Sequence, residues 1–184
     1  MLDQHLDDHL AVFNELREIL PKIDGVAAEL VDCLKRGNRI FLAGNGGSAA
    51  DAQHIAAELV GRYMRQRDSL PAIALTTDTS ALTAIANDFG YQEVFARQLS
   101  GLAQSGDLVI LYSTSGNSPN MLRLAETAAD MECLTIALTG RSGGKLADAA
   151  DICLKAPSDS TPRIQEVHGF IGHVLCERID AAFA

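Results

Sequence analysis

Five short apolar runs recur along this chain, and each is continuous rather than alternating with polar residues. They cover residues 39–43, 72–75, 108–112, 135–138 and 152–154. Stretches with a helical spacing of apolar residues separate and follow them, at 49–60, 93–103, 120–130, 144–149 and 163–182. Continuous apolar runs are typical of strands covered on both faces, and alternating strands and helices form a parallel, doubly wound sheet. The sequence therefore predicts an α/β three-layer sandwich with a five-stranded parallel sheet of the flavodoxin-like kind.

Two helical patterns precede the first run. Apolar residues recur at helical spacing between Leu6 and Leu20, Pro21 interrupts that pattern, and a second pattern covers 26–34. We expect an N-terminal helical hairpin in residues 1–36, with an apolar face left over for the core or for a partner subunit. The doubly wound core then occupies residues 37–184. Because no linker or repeat separates the two parts, residues 1–184 are predicted to form a single domain.

The acidic balance of the chain limits its partners. The formal net charge is −9 and the pI is about 4.9, so the surface repels phosphate backbones and nucleic-acid binding is not expected. No apolar stretch reaches the roughly 20 residues that a membrane helix needs, and the N-terminus does not resemble a signal peptide.

The chain has four cysteines and no CxxC pair. They lie mostly inside apolar runs, which predicts buried free thiols rather than a disulfide framework. This cysteine usage fits a reducing compartment, and a cytoplasmic location is expected. The four are Cys33, Cys133, Cys153 and Cys176.

The first predicted strand ends in a glycine-rich turn, Gly44-Asn45-Gly46-Gly47-Ser48, that leads into a helix. Glycines let the backbone turn sharply and approach a ligand closely, and a helix N-terminus favours anions. No lysine follows the glycines, so the turn is not a Walker A motif. Taken alone, it fits an ordinary tight turn capped by Ser48 as well as it fits a ligand site.

The third predicted strand ends in a turn crowded with hydroxyl groups. It runs Ser113-Thr114-Ser115-Gly116-Asn117-Ser118, and Pro119 follows at a suitable first helical position. Serine-rich loops are often merely solvated. Here the turn lies directly between a buried strand and a helix, where backbone N–H groups and hydroxyls form a nest for a phosphate dianion.

The helix after the second predicted strand is expected to begin with Asp78 or Thr79 as its cap. It ends at Asn87 and Asp88. These two residues either stop the helix or hydrogen-bond the hydroxyls of a sugar.

His54 and Glu58 are spaced i, i+4 on the helix after the glycine-rich turn, so they share one face. Such a pair suits a metal, or a base with the group that orients it. A surface His–Glu pair is the commoner origin of this spacing. The apolar residues around the pair predict a largely buried helix, and a buried ionisable pair needs partners of the kind that functional sites supply.

The last predicted helix carries Gln165 and His173, eight residues apart. Their Cα atoms would lie about 12 Å apart along a straight helix, too far for one metal to bind both from mid-helix. Either Gln165 lies at a frayed helix start, or the two residues act in sites shared between subunits. Gly169 and Gly172 would allow another helix to approach closely.

Several segments, in the same order along nearly the whole chain, closely resemble the phosphoheptose isomerases of the sugar isomerase (SIS) domain family. They are Gly44-Asn45-Gly46-Gly47-Ser48-Ala49-Ala50-Asp51-Ala52-Gln53-His54, then Glu58, Ala86-Asn87-Asp88-Phe89-Gly90, Ser113-Thr114-Ser115-Gly116-Asn117-Ser118 and Arg163-Ile164-Gln165-Glu166-Val167-His168.

The resemblance implies conversion of D-sedoheptulose 7-phosphate to D-glycero-D-manno-heptose 7-phosphate, on the way to bacterial surface glycans such as lipopolysaccharide. It also implies a homotetramer with active sites between subunits and one zinc per subunit. The positions that match the family's zinc ligands are His54, Glu58, Gln165 and His173. Those that match its substrate contacts are Asn45, Gly46, Gly47, Glu58, Asn87, Asp88, Ser113, Thr114, Ser115, Ser118 and Gln165.

Aldose–ketose isomerisation moves a proton between two carbons through an enediol, so it needs an acid/base group on carbon and another on oxygen. We expect Glu58 to act on carbon and His173 to be the partner. The competing hypothesis is a non-catalytic SIS adaptor that binds the bacterial replication initiator protein. That family lacks the acid at Glu58 and the histidine at His173, so the resemblance favours the enzyme.

Overall fold

A computed structural model describes residues 2–184 of the chain. Five parallel strands form one sheet in the order β2-β1-β3-β4-β5. The α/β sandwich with a five-stranded parallel sheet is therefore confirmed. The strands are β1 (Ile40–Gly44), β2 (Ala72–Ala74), β3 (Leu108–Ser113), β4 (Leu134–Thr139) and β5 (Ile152–Lys155).

Helices cover both faces of the sheet. They are α1 (Leu2–Glu15), α2 (Leu20–Lys35), α3 (Gly47–Val60), α4 (Thr79–Phe89), α5 (Ala96–Leu102), α6 (Pro119–Asp130), α7 (Leu146–Ala149) and α8 (Thr161–Phe183), with short 3₁₀ turns at Leu16–Ile19 and Tyr91–Glu93. The cap predicted for α4 is present, because the Asp78 carboxylate accepts a hydrogen bond from the Ala81 N–H at 2.9 Å.

Burial explains why the apolar runs become strands. Every residue of β1 and β3 is buried, because one apolar cluster lies between the sheet and α2, α3 and α8, and a second lies under α5, α6 and α7. A strand that is covered on both faces cannot alternate apolar and polar residues.

The strand order puts the ends of β1 and β3 next to each other. These strands are hydrogen-bonded neighbours, with Gly44 opposite Tyr112, although β2 comes between them along the chain. β2 is added on one side of β1, and β3, β4 and β5 are added on the other side. Open parallel sheets bind ligands at the point where the strand order reverses in this way. The turns at residues 44–48 and 113–118 leave the sheet side by side.

The predicted helical N-terminus is present, but Pro21 has a different role from the one expected. It lies in the first turn of α2 rather than between two helices. Proline is tolerated there because the first helical N–H groups have no partner within the helix. A 3₁₀ turn connects α1 to α2, and both helices pack against α8.

All four cysteines are buried free thiols, as predicted. Between residues 2 and 184, no helix is both long and apolar enough to cross a bilayer.

His168 is a fully buried histidine in the middle of α8. Its Nε2 donates a hydrogen bond to the Thr139 carbonyl oxygen (3.2 Å), at the end of β4. Burial disfavours the charged ring and lowers its pKa from 6.5 to about 4, although the hydrogen bond to Thr139 opposes the shift. The folded protein therefore holds this ring neutral at a pH where the unfolded chain protonates it.

We expect His168 to make folding stability depend on pH. The folded pKa of His168 lies below its unfolded pKa, so its contribution to the free energy of unfolding is complete above about pH 6.5. About 3 kcal/mol of that free energy is lost as the pH falls towards 4. His168→Gln retains a donor for Thr139 but does not titrate. Urea unfolding at several pH values should give a shallower decrease for the variant than for the wild type. Parallel curves would show that His168 does not control this dependence.

Candidate active site

A small pocket lies between the turns that follow β1 and β3. Its volume is about 70 Å³, which suits a compact anion better than a whole sugar, and it is lined by Asn45, Ser48, Tyr112, Ser113, Thr114 and Ser118. The N-termini of α3 and α6 both begin at these turns. Helix N-termini carry partial positive charge, and the lining offers hydroxyl groups rather than charged side chains. The pocket is therefore suited to binding a phosphate.

The turn at residues 113–118 is braced from within. The Ser113 hydroxyl accepts a hydrogen bond from the Gly116 N–H (3.2 Å) and lies 3.5 Å from the Ser118 hydroxyl. Ser118 is the N-cap residue of α6, yet its side chain makes no capping hydrogen bond. Its hydroxyl therefore remains available to a ligand in the pocket.

A second loop, residues 140–146, supports this turn from behind. Gly140 N–H donates to the Thr114 carbonyl (3.0 Å), and Leu146 N–H donates to the Gly116 carbonyl (2.9 Å). Gly116 has a φ of +64°, and a Cβ there would collide with the backbone of Gly143. Only glycine fits at this contact, so the packing of two backbones fixes the shape of the turn.

The Asn45 amide is held by neighbouring side chains. It exchanges two hydrogen bonds with the Asn120 amide (2.9 and 2.8 Å), and its Oδ1 also accepts one from the Tyr91 hydroxyl (3.2 Å). Asn45, predicted as a substrate contact, therefore ties the turn after β1 to α6 and to the 3₁₀ turn after α4.

Helices α3 and α8 pack side by side and run in the same direction. Near the start of α3, the Gln165 side chain lies where a Cβ on Gly47 would be. Further along, a Cβ on Gly172 would meet Ile55, and the rings of His54 and His173 touch. Gly172 thus provides the close helix approach expected from the sequence. Gly169 does not, because a Cβ there would meet no atom within 4 Å in the single chain.

The structure decides one question about Gln165 and His173 that the sequence left open. Helix α8 begins at Thr161, so Gln165 does not lie at a frayed start. Each residue faces a different part of α3: Gln165 lies at Gly47, and His173 lies at His54. Because these positions are seven residues apart on α3, they are separated by about 10 Å. In the single chain, the two side chains therefore contact different turns of α3.

His54, Glu58 and His173 form a cluster near the end of α3. The His54 Nε2 lies 3.3 Å from the Glu58 Oε1 and 3.4 Å from the His173 Nε2. The Tyr63 ring stacks on His173, with centroids 5.5 Å apart and an interplanar angle of 21°. His54 therefore contacts both of the predicted acid/base residues, Glu58 on its own helix and His173 on α8.

The expectation that the His54–Glu58 pair is buried is wrong for the single chain. The side chain of His54 is 48% exposed and that of Glu58 is 24% exposed. The buried residues of α3 lie on its other face, and include Ala52, Ile55 and Leu59. The i, i+4 spacing places the pair away from the core.

The cluster fits zinc in its donor types and in two of its separations. Zinc binds imidazole and carboxylate at about 2.0–2.2 Å, and a tetrahedral angle then places two ligand atoms about 3.3–3.6 Å apart. Both separations from the His54 ring agree with this value. Within residues 2–184, however, no three or more His, Cys, Asp or Glu side chains already form a group that could hold a metal.

Two other predicted site residues, Asn87 and Asp88, are exposed at the end of α4. The Asn87 amide donates to the Asp88 carboxylate (2.8 Å), and no hydrogen bond among residues 2–184 joins their side chains to either turn. Tyr91, a few residues later, is the residue from this part of the chain that contacts the turn after β1.

Sequence reasoning missed Asn120, Tyr91 and Tyr63. Asn120 directly follows Pro119, so the first turn of α6 was a signal that could have revealed it. Tyr91 begins a short 3₁₀ turn and Tyr63 lies in a loop, and no local pattern indicates what they contact. Their roles depend on how distant elements pack.

Known proteins agree with this architecture. The family model for the SIS domain matches residues 4–140. A phosphoheptose isomerase of a Nitratiruptor species is 52% identical over 183 residues, which cover 99% of this chain and 98% of that protein.

Two solved structures have the same architecture as this chain. A phosphoheptose isomerase from Francisella tularensis has a TM-score of 0.95 and 38% identity, covering 98% of this chain and 96% of that one. A phosphoheptose isomerase from Neisseria gonorrhoeae has a TM-score of 0.93 and 41% identity, covering 98% and 97%. With both turns and the His54–Glu58–His173 cluster in place, the chain belongs to the phosphoheptose isomerase family of SIS-domain proteins.

Proposed function

We propose that this chain isomerises D-sedoheptulose 7-phosphate to D-glycero-D-manno-heptose 7-phosphate, a step in bacterial heptose precursor biosynthesis. The observation that carries the proposal is the meeting of Glu58 and His173 at His54. An adaptor would not need an acid/base cluster of this kind. The similar proteins and structures named above are phosphoheptose isomerases, which supports the same activity here.

The acid/base chemistry is assigned to two side chains. Glu58 takes the proton from one carbon and returns it to the neighbouring carbon, through an enediol. His173 moves the proton between the two substrate oxygens, so that charge does not build up on either. The Tyr63 ring, stacked on His173, limits the orientations that the imidazole adopts.

We assign the phosphate to the turn at 113–118. Its hydroxyls and backbone N–H groups bind the dianion, and binding there orients the reacting end of the sugar. The other contacts proposed for the substrate are Asn45, Gly46, Gly47, Asn87, Asp88, Glu58 and Gln165.

One zinc per subunit is part of the proposal. His54, Glu58, Gln165 and His173 would hold it, and the two separations at His54 support this assignment. A bound zinc would polarise the substrate carbonyl.

A homotetramer with active sites between subunits is also proposed. Gln165 and His173 face different parts of α3, and Glu58 lies ten residues after Ser48, which is about 15 Å along a straight helix. A second copy of the chain, supplying one part of each site, would bring these groups to one substrate.

The activity is tested by incubating the purified protein with D-sedoheptulose 7-phosphate, with metal analysis on the same sample. We expect turnover by the wild type. Glu58→Gln keeps the shape of the side chain but cannot accept the proton, so kcat should fall by about 10²–10⁴-fold. Circular dichroism controls for folding.

Absence of turnover by the wild type, both as purified and with added zinc, would refute the isomerase and leave the adaptor. Full activity in Glu58→Gln would move the base elsewhere, with His173 next in line. A sample that turns over substrate at full rate with no zinc would refute the metal assignment.

The phosphate assignment is tested by Ser118→Ala. A hydrogen bond to a charged group contributes about 1.5–3 kcal/mol, so KM should rise by about 10-fold or more while kcat changes less than about 3-fold. Ser105→Ala, at the opposite edge of the sheet, is the matched control and should change neither. A fall in kcat without a rise in KM would argue against a phosphate at this turn.

The tetramer is tested on the apolar face of α1. Leu2, Leu6 and Leu10 recur every four residues and are 83%, 58% and 51% exposed in the single chain, so this face is suited to covering by another copy. Light scattering should give the mass of four chains for the wild type and a smaller mass for Leu6→Glu/Leu10→Glu.

Gln4→Glu/Ala11→Glu is the control, because it adds the same charge on the opposite face of α1 and should keep the wild-type mass. A monomeric wild type would refute the tetramer. An unchanged mass in Leu6→Glu/Leu10→Glu would show that this face is not an interface.

A further inference from the structure

The loop between α3 and β2, residues 61–71, is fixed to α8 by a buried ion pair. The Arg67 Nε lies 2.8 Å from the Asp180 Oδ1, and both side chains are 1% exposed. The second carboxylate oxygen accepts hydrogen bonds from the N–H groups of Met64 (2.7 Å) and Arg65 (2.8 Å). One carboxylate on α8 therefore holds three residues of the loop.

The rest of the Arg67 guanidinium binds the end of α3. Its Nη2 donates to the Glu58 carbonyl oxygen at 2.8 Å, and its Nη1 donates to the Leu59 carbonyl oxygen at 2.9 Å. The last carbonyls of a helix have no partner within the helix, and they carry partial negative charge. Arg67 satisfies two of them and complements that charge.

The Asp180 carboxyl is stabilised in its ionised form by these partners. Burial alone would raise its pKa, but the hydrogen bonds from Arg65, Met64 and Arg67, with the charge of Arg67, lower it below the ordinary value. Removing one partner of such a buried pair leaves the other charge uncompensated, which is far more costly than losing a surface ion pair.

Both ends of the ion pair lead to the proposed catalytic groups. Arg67 binds the backbone of Glu58 itself. Asp180 lies seven residues after His173, two turns along the same face of α8. The loop that they fix also carries Tyr63, whose ring stacks on His173.

We propose that Arg67 and Asp180 are positioning residues for the isomerase reaction: together they set where Glu58 on α3 lies relative to His173 on α8. The inference rests on the proposed function, since it concerns the same site. Neither side chain touches the substrate. Their effect is exerted through the backbone of Glu58 and the ring of Tyr63.

Displacing a reacting group by about 1 Å can cost about 100-fold in rate. The Arg67–Asp180 pair lies behind the acid/base groups and not at the phosphate turn. Its loss should therefore lower kcat much more than it changes KM.

The test uses Asp180→Asn and Arg67→Lys in the full chain, assayed well below the unfolding temperature of each. Asp180→Asn keeps one oxygen acceptor for the loop N–H groups, but it loses the charge and the second acceptor that bind Arg67. Arg67→Lys keeps the charge but not the fork that reaches both carbonyls. For each folded variant we expect kcat to fall by about 10- to 100-fold, with KM changing less than about 3-fold. Arg67→Met should be more impaired than Arg67→Lys.

The matched control is Asp107→Asn. Asp107 is also a buried carboxylate, and it accepts hydrogen bonds from the N–H groups of Arg39 (2.8 Å) and Gln104 (2.9 Å). It lies just before β3, and its hydrogen-bond partners belong neither to the loop at residues 61–71 nor to α8. Asp107→Asn should lower the unfolding temperature but leave kcat unchanged.

Hydrogen–deuterium exchange supplies a measurement that does not depend on activity. Exchange at residues 58–65 should increase in Asp180→Asn and in Arg67→Lys but not in Asp107→Asn.

If the wild type is inactive while this exchange increases, the proposed function fails and the structural basis of the inference stands. The inference is overturned if the folded Asp180→Asn or Arg67→Lys keeps the wild-type kcat, or if Asp107→Asn loses kcat to the same extent. If Asp180→Asn does not fold, the Arg67→Lys result decides.

Discussion

The close packing of α8 along α3 is the constraint on which the site depends. Gln165 occupies the space that a side chain on Gly47 would need, and Gly172 admits Ile55. These contacts set the relative position of the two helices, and the meeting of His54 with His173 follows from it. The small pocket between the turns after β1 and β3 has a separate origin, because it arises from the order of these strands in the sheet.

Patterns that are local in sequence predicted much of this structure. The apolar runs located all five strands, because burial on both faces removes polar residues from a strand. The i, i+4 spacing identified His54 and Glu58 as neighbours, and the hydroxyl-rich turn after β3 lines a small pocket. Pro21 was misinterpreted because proline both ends a helix and begins one, and the sequence around it does not distinguish the two.

Contacts between distant segments could not be predicted in this way. Arg67 and Asp180 are more than one hundred residues apart, and neither lies in a recognisable motif. The exposure of His54 also escaped prediction, because apolar residues cover only one face of α3 and the covering of the other face depends on packing between distant elements. The spacing of Gln165 and His173 posed a question that only the path of α3 beside α8 could answer.

The parallel course of α3 and α8 restricts how this chain can change in length. Each residue in a helix turns the chain by about 100°. One residue inserted between Gly47 and His54 would rotate His54 and Glu58 away from α8 while Gln165 stayed in place. A compensating insertion between Gln165 and His173 would be needed to bring His173 back into contact with His54. Insertions and deletions among relatives with this site should therefore fall in the surface loops, or occur in both helices together.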